Sequence, residues 1–169
     1  MIQELLSRSA DQTYSAGIFV GEQLRAGDVL MLYGELGAGK TLLTKGVMEA
    51  VGFDVDEVTS PSFALVNHYP ADRFGVYHID LWRLEPTPAV AMAVGLDEIL
   101  EHENAVVIIE WADRLGAIHP RGRTIKIEIV GSGDDVREIR IDGLDEPVEI
   151  TAVVSEPRLR RSHRHRISV

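Results

Sequence analysis

Residues 32–46, LYGELGAGKTLLTKG, carry the spacing Gly34-x-x-x-x-Gly39-Lys40-Thr41. This is the signature of a phosphate-binding loop (P-loop), and each position has a mechanical reason. Glycines let the backbone turn its N–H groups inward around a phosphate, a lysine reaches the outer phosphates, and a hydroxyl beside it ligates Mg²⁺. The flanks agree. DVLMLY (28–33) reads as a buried strand, and KTLLTKGVMEAVG (40–52) reads as a helix that stops at Gly52. The loop thus presents a helix N-terminus to an anion.

Working outward, SADQ (9–12) fits a capping box, with Ser9 as N-cap and Gln12 three residues on. Tyr14, Gly17, Ile18, Gly21 and Leu24 then share one face, which predicts a helix from Ala10 to Arg25. Beyond the loop helix, FALVNHY (63–69) and VYHIDLWRL (76–84) read as two strands joined by a short turn. They are expected to pair antiparallel, because a parallel pair needs a longer crossover. TPAVAMAVGLDEILEHE (87–103) reads as helical with a break at Gly95, and NAVVIIEW (104–111) as a fully buried strand ending in an acid. RTIKIEIV (123–130) and VREIRIDG (136–143) alternate as the arms of a hairpin around GSGDD, and EPVEITAVV (146–154) is read as a further strand. The fold class implied is α/β: a three-layer P-loop NTPase-like domain whose mixed sheet is parallel around the loop and antiparallel toward its edges.

The chain has 169 residues and a formal net charge of −10, which suits one domain with a proper core. Charge is unevenly spread. RLRRSHRHR (158–166) holds five arginines and two histidines, whereas residues 1–155 carry 12 basic against 26 acidic side chains, a net charge of −14. The division expected is a single domain over 1–155 and a basic, disordered tail over 156–169. An acidic body is not a nucleic-acid grip. The absence of cysteine excludes a disulfide framework, thiolate zinc sites and a cysteine nucleophile. The histidines and acids show no zinc-site spacing. No stretch has the apolar length of a membrane span, and MIQELLSRSADQ lacks the features of a signal peptide, so a cytoplasmic protein with no membrane partner is expected.

Further positions carry chemistry or its alternatives. Glu110 follows four apolar residues, where P-loop proteins place the acid that completes the Mg²⁺ shell; otherwise it is a surface acid just past a strand. Asp80 shares a strand face with His78 and Trp82. A carboxylate in such a strand needs a partner or a metal, so Asp80 either positions an attacking water, supports the metal, or forms a structural ion pair with Arg83. Ser60-Pro61-Ser62 stands where many P-loop proteins sense the terminal phosphate, or is an ordinary Ser-Pro turn. His78 reads as a satisfied hydrogen-bonding residue, and Trp82 and Trp111 as packing groups.

Taken in order, GELGAGKT (34–41), TSPSFALVNHY (59–69), YHIDLWRL (77–84) and VVIIEW (106–111) resemble the TsaE family, also called YjeE. The resemblance covers about residues 9–142. It implies an ATPase needed for threonylcarbamoyladenosine (t6A) formation on tRNA, with ATP/ADP and Mg²⁺ as cofactors. It further implies that Glu35, Leu36, Gly37, Ala38, Gly39, Lys40, Thr41 and Leu42 bind the nucleotide, that Thr41 and Glu110 ligate Mg²⁺, and that Asp80 is needed for hydrolysis. Ser60, Pro61 and Ser62 would form the switch, and Thr13 would lie near the adenine. The partners implied are TsaD and TsaB, with tRNA met only through that complex, and hydrolysis would reset the complex for its next turnover. Two departures stand out: Ser62 replaces the family's usual threonine and Trp82 its usual tyrosine. The tail lies outside the family pattern. A P-loop kinase for a small metabolite and a non-hydrolysing nucleotide switch are the competing readings.

Overall fold

The computed structural model describes residues 2–70, 73–116, 118, 120, 122–131, 133 and 136–148. The basic tail and most of EPVEITAVV lie outside them. Seven strands form one sheet: β1 (Ile2–Ser7), β2 (Val29–Tyr33), β3 (Val66–Tyr69), β4 (Gly75–Asp80), β5 (Ala105–Glu110), β6 (Thr124–Val130) and β7 (Arg137–Asp142). Their order across the sheet is β1-β7-β6-β2-β5-β4-β3. The four central strands β6, β2, β5 and β4 run parallel, while β3 at one edge and β7 with β1 at the other pair antiparallel. The expected mixed sheet is therefore present, including the terminal hairpin and the β3–β4 pair.

The strand period sorts the core into two layers. Leu30, Leu32, Val76, Val106, Ile108, Ile125 and Ile127 face helices α1 (Ala10–Glu22) and α2 (Lys40–Ala50). Val29, Met31, Ile79, Val107 and Ile109 face the short helices α3 (Val90–Ala93) and α4 (Leu96–Leu100). Every residue of β5 is buried, as a central parallel strand covered on both sides requires.

Several expectations shift. The sequence reading assigns nothing before Ser9, yet Ile2–Ser7 forms an edge strand on β7. The strand FALVNHY begins only at Val66: Leu65 adopts φ 65°, its N–H meets Pro61 O at 2.6 Å, and Phe63 is left exposed. The strand VYHIDLWRL ends at Asp80, short of Trp82. Helix α1 stops at Glu22 rather than Arg25. The segment 87–103 holds two short helices, because Gly95 at φ 63° turns the chain between them. Glu146–Val148 has no strand, and 149–154 lies outside the described residues. The capping serine is present, since Ser9 Oγ accepts from Gln12 N at 3.2 Å; the Gln12 side chain, however, accepts from Arg8 N rather than Ser9 N. No helix among the described residues is long and apolar enough to cross a membrane.

One packing contact places the loop helix. Helices α1 and α2 meet through glycines: a Cβ on Gly17 would lie 2.1 Å from Leu43 O, and one on Gly46 would lie 2.1 Å from Tyr14 O. Both neighbours are backbone and cannot swing aside. Helix propensity favours alanine over glycine by about 1 kcal/mol, but overpacking of this kind costs about 1–3 kcal/mol and here must push the helices away from each other. Gly46→Ala is therefore expected to destabilise the protein by about 2 kcal/mol, lowering the thermal midpoint by roughly 5 °C. A melting temperature equal to or above that of the parent would contradict the contact.

Candidate nucleotide site

Strand β2 delivers the chain to Gly34, and the loop 34–39 wraps back to start α2 at Lys40. Gly34, Gly37 and Gly39 have φ of 142°, 79° and 111°, a run that side chains other than glycine rarely adopt. A Cβ on Gly34 would also lie 2.4 Å from Ile129 O, so β6 presses directly on the loop. Ala38 is buried, whereas Leu36 is two-thirds exposed at the tip. Thr13 of α1 is buried against the loop: its Cγ2 lies 3.3 Å from where a Cβ on Gly39 would be, and its hydroxyl is 2.8 Å from Ser7 Oγ. Leu42 lies half-buried in the first turn of α2.

The lysine is held inside this loop. Lys40 Nζ donates to Gly34 O at 2.7 Å and Glu35 O at 2.9 Å, and it lies 3.7 Å from the Trp111 ring centroid. Trp111 can cover it because the residue takes φ 60°, turning the chain sharply after β5. Burial pulls the Lys40 ammonium below the ordinary lysine value, opposed by the carboxylates of Glu110, Asp80, Asp113 and Glu35. The two tryptophans pack on each other with centroids 4.6 Å apart, so the packing roles expected for them are accompanied by a cation–π contact the sequence did not reveal.

The two acids are neighbours by register. Asp80 of β4 pairs with Glu110 of β5, which in turn pairs with Leu32 of β2 just before the loop. Both side chains are buried on the α1/α2 face of the sheet. Glu110 Oε2 accepts from Thr41 Oγ1 at 2.9 Å, and Oε1 accepts from Thr44 Oγ1 at 3.4 Å and lies 2.8 Å from His78 Nε2. Asp80 Oδ2 accepts from Ser60 Oγ at 2.5 Å and Ser62 Oγ at 2.9 Å, while Oδ1 accepts from Trp82 N at 2.9 Å. No Asp80–Arg83 ion pair forms among the described residues, because Arg83 lies over the Phe63 ring at 4.1 Å. Ser60 and Ser62 flank Pro61 with their hydroxyl oxygens 2.7 Å apart, so all three residues sit beside Asp80.

The sequence-derived residues thus converge on one corner at the C-terminal ends of β2, β4 and β5. Missed were the His78 and Thr44 contacts to Glu110 and the Trp111 cover on Lys40. Only the β4–β5 register reveals the first, and only a left-handed backbone at Trp111 the last. The donor set suits a hard divalent cation, since a threonine hydroxyl and a carboxylate oxygen lie 2.9 Å apart beside a phosphate loop. Among the described residues no three His, Cys, Asp or Glu side chains cluster as an all-protein cage, and Mg²⁺ at phosphate sites uses few protein ligands.

A sheet with parallel central strands and this loop after one of them defines a P-loop nucleotide-binding protein. Residues 7–139 match the family described as threonylcarbamoyl adenosine biosynthesis protein TsaE, and the chain belongs to that family. The protein of Bacillus subtilis named tRNA threonylcarbamoyladenosine biosynthesis protein TsaE is 40% identical over 115 residues, 68% of this chain and 69% of its own. The Nostoc protein of the same name is 39% identical over 106 residues, 62% of this chain and 65% of its own, so the match spans just under two thirds of that relative. The Borreliella burgdorferi protein is 33% identical over 145 residues, 85% of this chain and all of its own. A crystal structure of YdiB from Bacillus subtilis superposes with a TM-score of 0.67 at 30% identity, covering 85% of this chain and 86% of that one.

Removing the central carboxylate tests the packing of this corner without any ligand. Glu110→Ala strips Thr41, Thr44 and His78 of a shared acceptor inside the core, and the expected loss is about 2–4 kcal/mol. Urea unfolding measures it. A change below about 0.5 kcal/mol would show that the carboxylate does not hold the corner together.

Proposed function

We propose that this protein binds and hydrolyses Mg²⁺·ATP in t6A modification of tRNA and that hydrolysis resets the TsaB–TsaD transferase complex. The single observation that carries the reading is the convergence of Lys40, Thr41, Glu110, Asp80 and the Ser60–Ser62 segment around one phosphate loop. The names of the relatives support the pathway. Membership of a tRNA-modification family supports a protein working in the cytoplasm.

In this reading the backbone N–H groups of residues 35–41 cradle the phosphates, and Lys40 leaves Gly34 O, Glu35 O and the Trp111 face to reach them. Thr41 Oγ1 and Glu110 would hold Mg²⁺, which would offset the charge of the phosphates. Asp80 orients the attacking water. It is at present taken up by Ser60 and Ser62, so that segment must let go before Asp80 can act. This is how a nucleotide-sensing switch at Ser60-Pro61-Ser62 would couple occupancy to turnover. Thr13, packed on Gly39, would lie beside the nucleotide.

The same latch favours a second reading, a switch that binds nucleotide and turns it over negligibly. The metabolite-kinase reading gains nothing: Arg73 is tied to Gly21 O and Leu24 O, and Arg83 is stacked on Phe63, so neither closes over the loop.

Steady-state phosphate release from Mg·ATP, measured for the protein alone and with TsaB and TsaD, decides between them. Strong stimulation by the pair is expected. No stimulation despite clear nucleotide binding would leave the switch. Lys40→Ala should weaken binding of a fluorescent nucleotide by at least about 100-fold, roughly 2.7 kcal/mol. Asp80→Ala should bind with near-normal affinity yet lose about 100-fold or more in turnover, and normal hydrolysis by it would remove Asp80 from the mechanism.

A further inference from the structure

We propose that His78 is a positioning residue for the metal site: its Nε2–H fixes one oxygen of Glu110 so that the other is presented, with Thr41, to a divalent cation. This rests on the Mg²⁺·nucleotide reading above and deepens it. His78 is fully buried, two residues before Asp80 on the same face of β4. Its Nε2 lies 2.8 Å from Glu110 Oε1, while Thr41 Oγ1 lies 2.9 Å from Glu110 Oε2. The two oxygens of one carboxylate therefore have different nearest neighbours: Oε1 has His78 of the sheet, with Thr44 Oγ1 more distant at 3.4 Å, and Oε2 has Thr41 at the start of the loop helix.

A carboxylate oxygen accepts, so Nε2 is the ring atom that carries the proton in this contact. That choice leaves Nδ1 bare, and Nδ1 is the buried side-chain nitrogen or oxygen without a hydrogen-bond partner among the described residues. An orphaned polar atom makes histidine a poor filler for an apolar strand, where leucine or phenylalanine would pack without penalty. The residue's presence there is explained by what Nε2 does. Imidazole is also rigid and flat, so a ring carried on β4 with Nε2 2.8 Å from Oε1 sets the direction of the carboxylate plane, not merely its distance. Groups that hold a metal ligand from behind in this way tune metal affinity.

The test uses the full-length protein saturated with ADP, with Mn²⁺ as the probe and free Mn²⁺ read by electron paramagnetic resonance. Two polar variants differ in reach: the Gln amide of His78→Gln extends about as far as Nε2, and the Asn amide of His78→Asn stops short. His78→Asn should bind Mn²⁺ at least about tenfold more weakly, and His78→Gln should stay within about threefold of the parent. ADP affinity measured in EDTA should be the same in all three. Equal Mn²⁺ affinity in the parent and His78→Asn overturns the proposal. So does a parallel fall in metal-free ADP affinity, which would mark general disturbance of the corner. Because a variant can fail to fold, nitrogen-15 histidine spectra of the parent provide an independent arm. They should show the Nε2–H tautomer, with its proton signal moving when Mg²⁺ is added to the ADP complex; an Nδ1–H tautomer or a signal indifferent to Mg²⁺ overturns the proposal. A parent that takes up no Mn²⁺ with ADP defeats the metal reading itself, an outcome distinct from equal binding by all three proteins.

Discussion

A carboxylate withdrawn from water must be met by donors, and that requirement at Glu110 organises the corner on which the rest of the molecule depends. The side chain is 2% exposed, yet it sits among apolar strand residues. Thr41 and Thr44 supply donors from successive turns of α2, and His78 supplies one from β4. One acid thus binds a helix to two strands, and the loop preceding that helix inherits its position. Moving any of the three elements would strip a buried charge of some or all of these partners, which is costly.

Lys40 and Asp80 already have internal partners, and this shapes how nucleotide could act on them. Lys40 is spent on two loop carbonyls and an aromatic face, and Asp80 on two serines and a backbone N–H. Neither group waits in solvent. Binding must therefore exchange internal contacts for new ones, so the affinity for nucleotide reports the difference between two well-bonded states. The hydroxyls of Ser60 and Ser62 make their segment sensitive to that exchange, since they lose their acceptor when Asp80 turns away.

Much of this was legible from residue order because local rules and tertiary demands agreed. The loop spacing, the apolar run of β5 and the alternation of β6 and β7 each point to one structure. Legibility failed where they did not. IQELLS alternates poorly, placing Leu5 inward and Leu6 outward, so the strand exists because β7 offers an unpaired edge rather than because its own pattern demands it. FAL reads as strand by composition, but the serine latch on Asp80 and the left-handed Leu65 pull it into a turn. Within the site, Asp80, Glu110 and Lys40 announced themselves as polar residues in apolar or glycine-rich settings. The role of His78 depended on register, and that of Trp111 on an unusual backbone angle; neither is encoded in spacing.

The glycine contact between α1 and α2 has a mechanical side. Where side chains fill an interface, rotamers can yield and soak up small displacements, as the Leu- and Val-lined layer under α3 and α4 would. Between Gly17 and Gly46 main chain rests on main chain, and no rotamer is available to yield. The first helix therefore behaves as a stiff strut braced against the shaft whose tip is Lys40. A load on the outer surface of α1 meets less give at this contact on its way to the phosphate loop than the same load meets in the opposite layer.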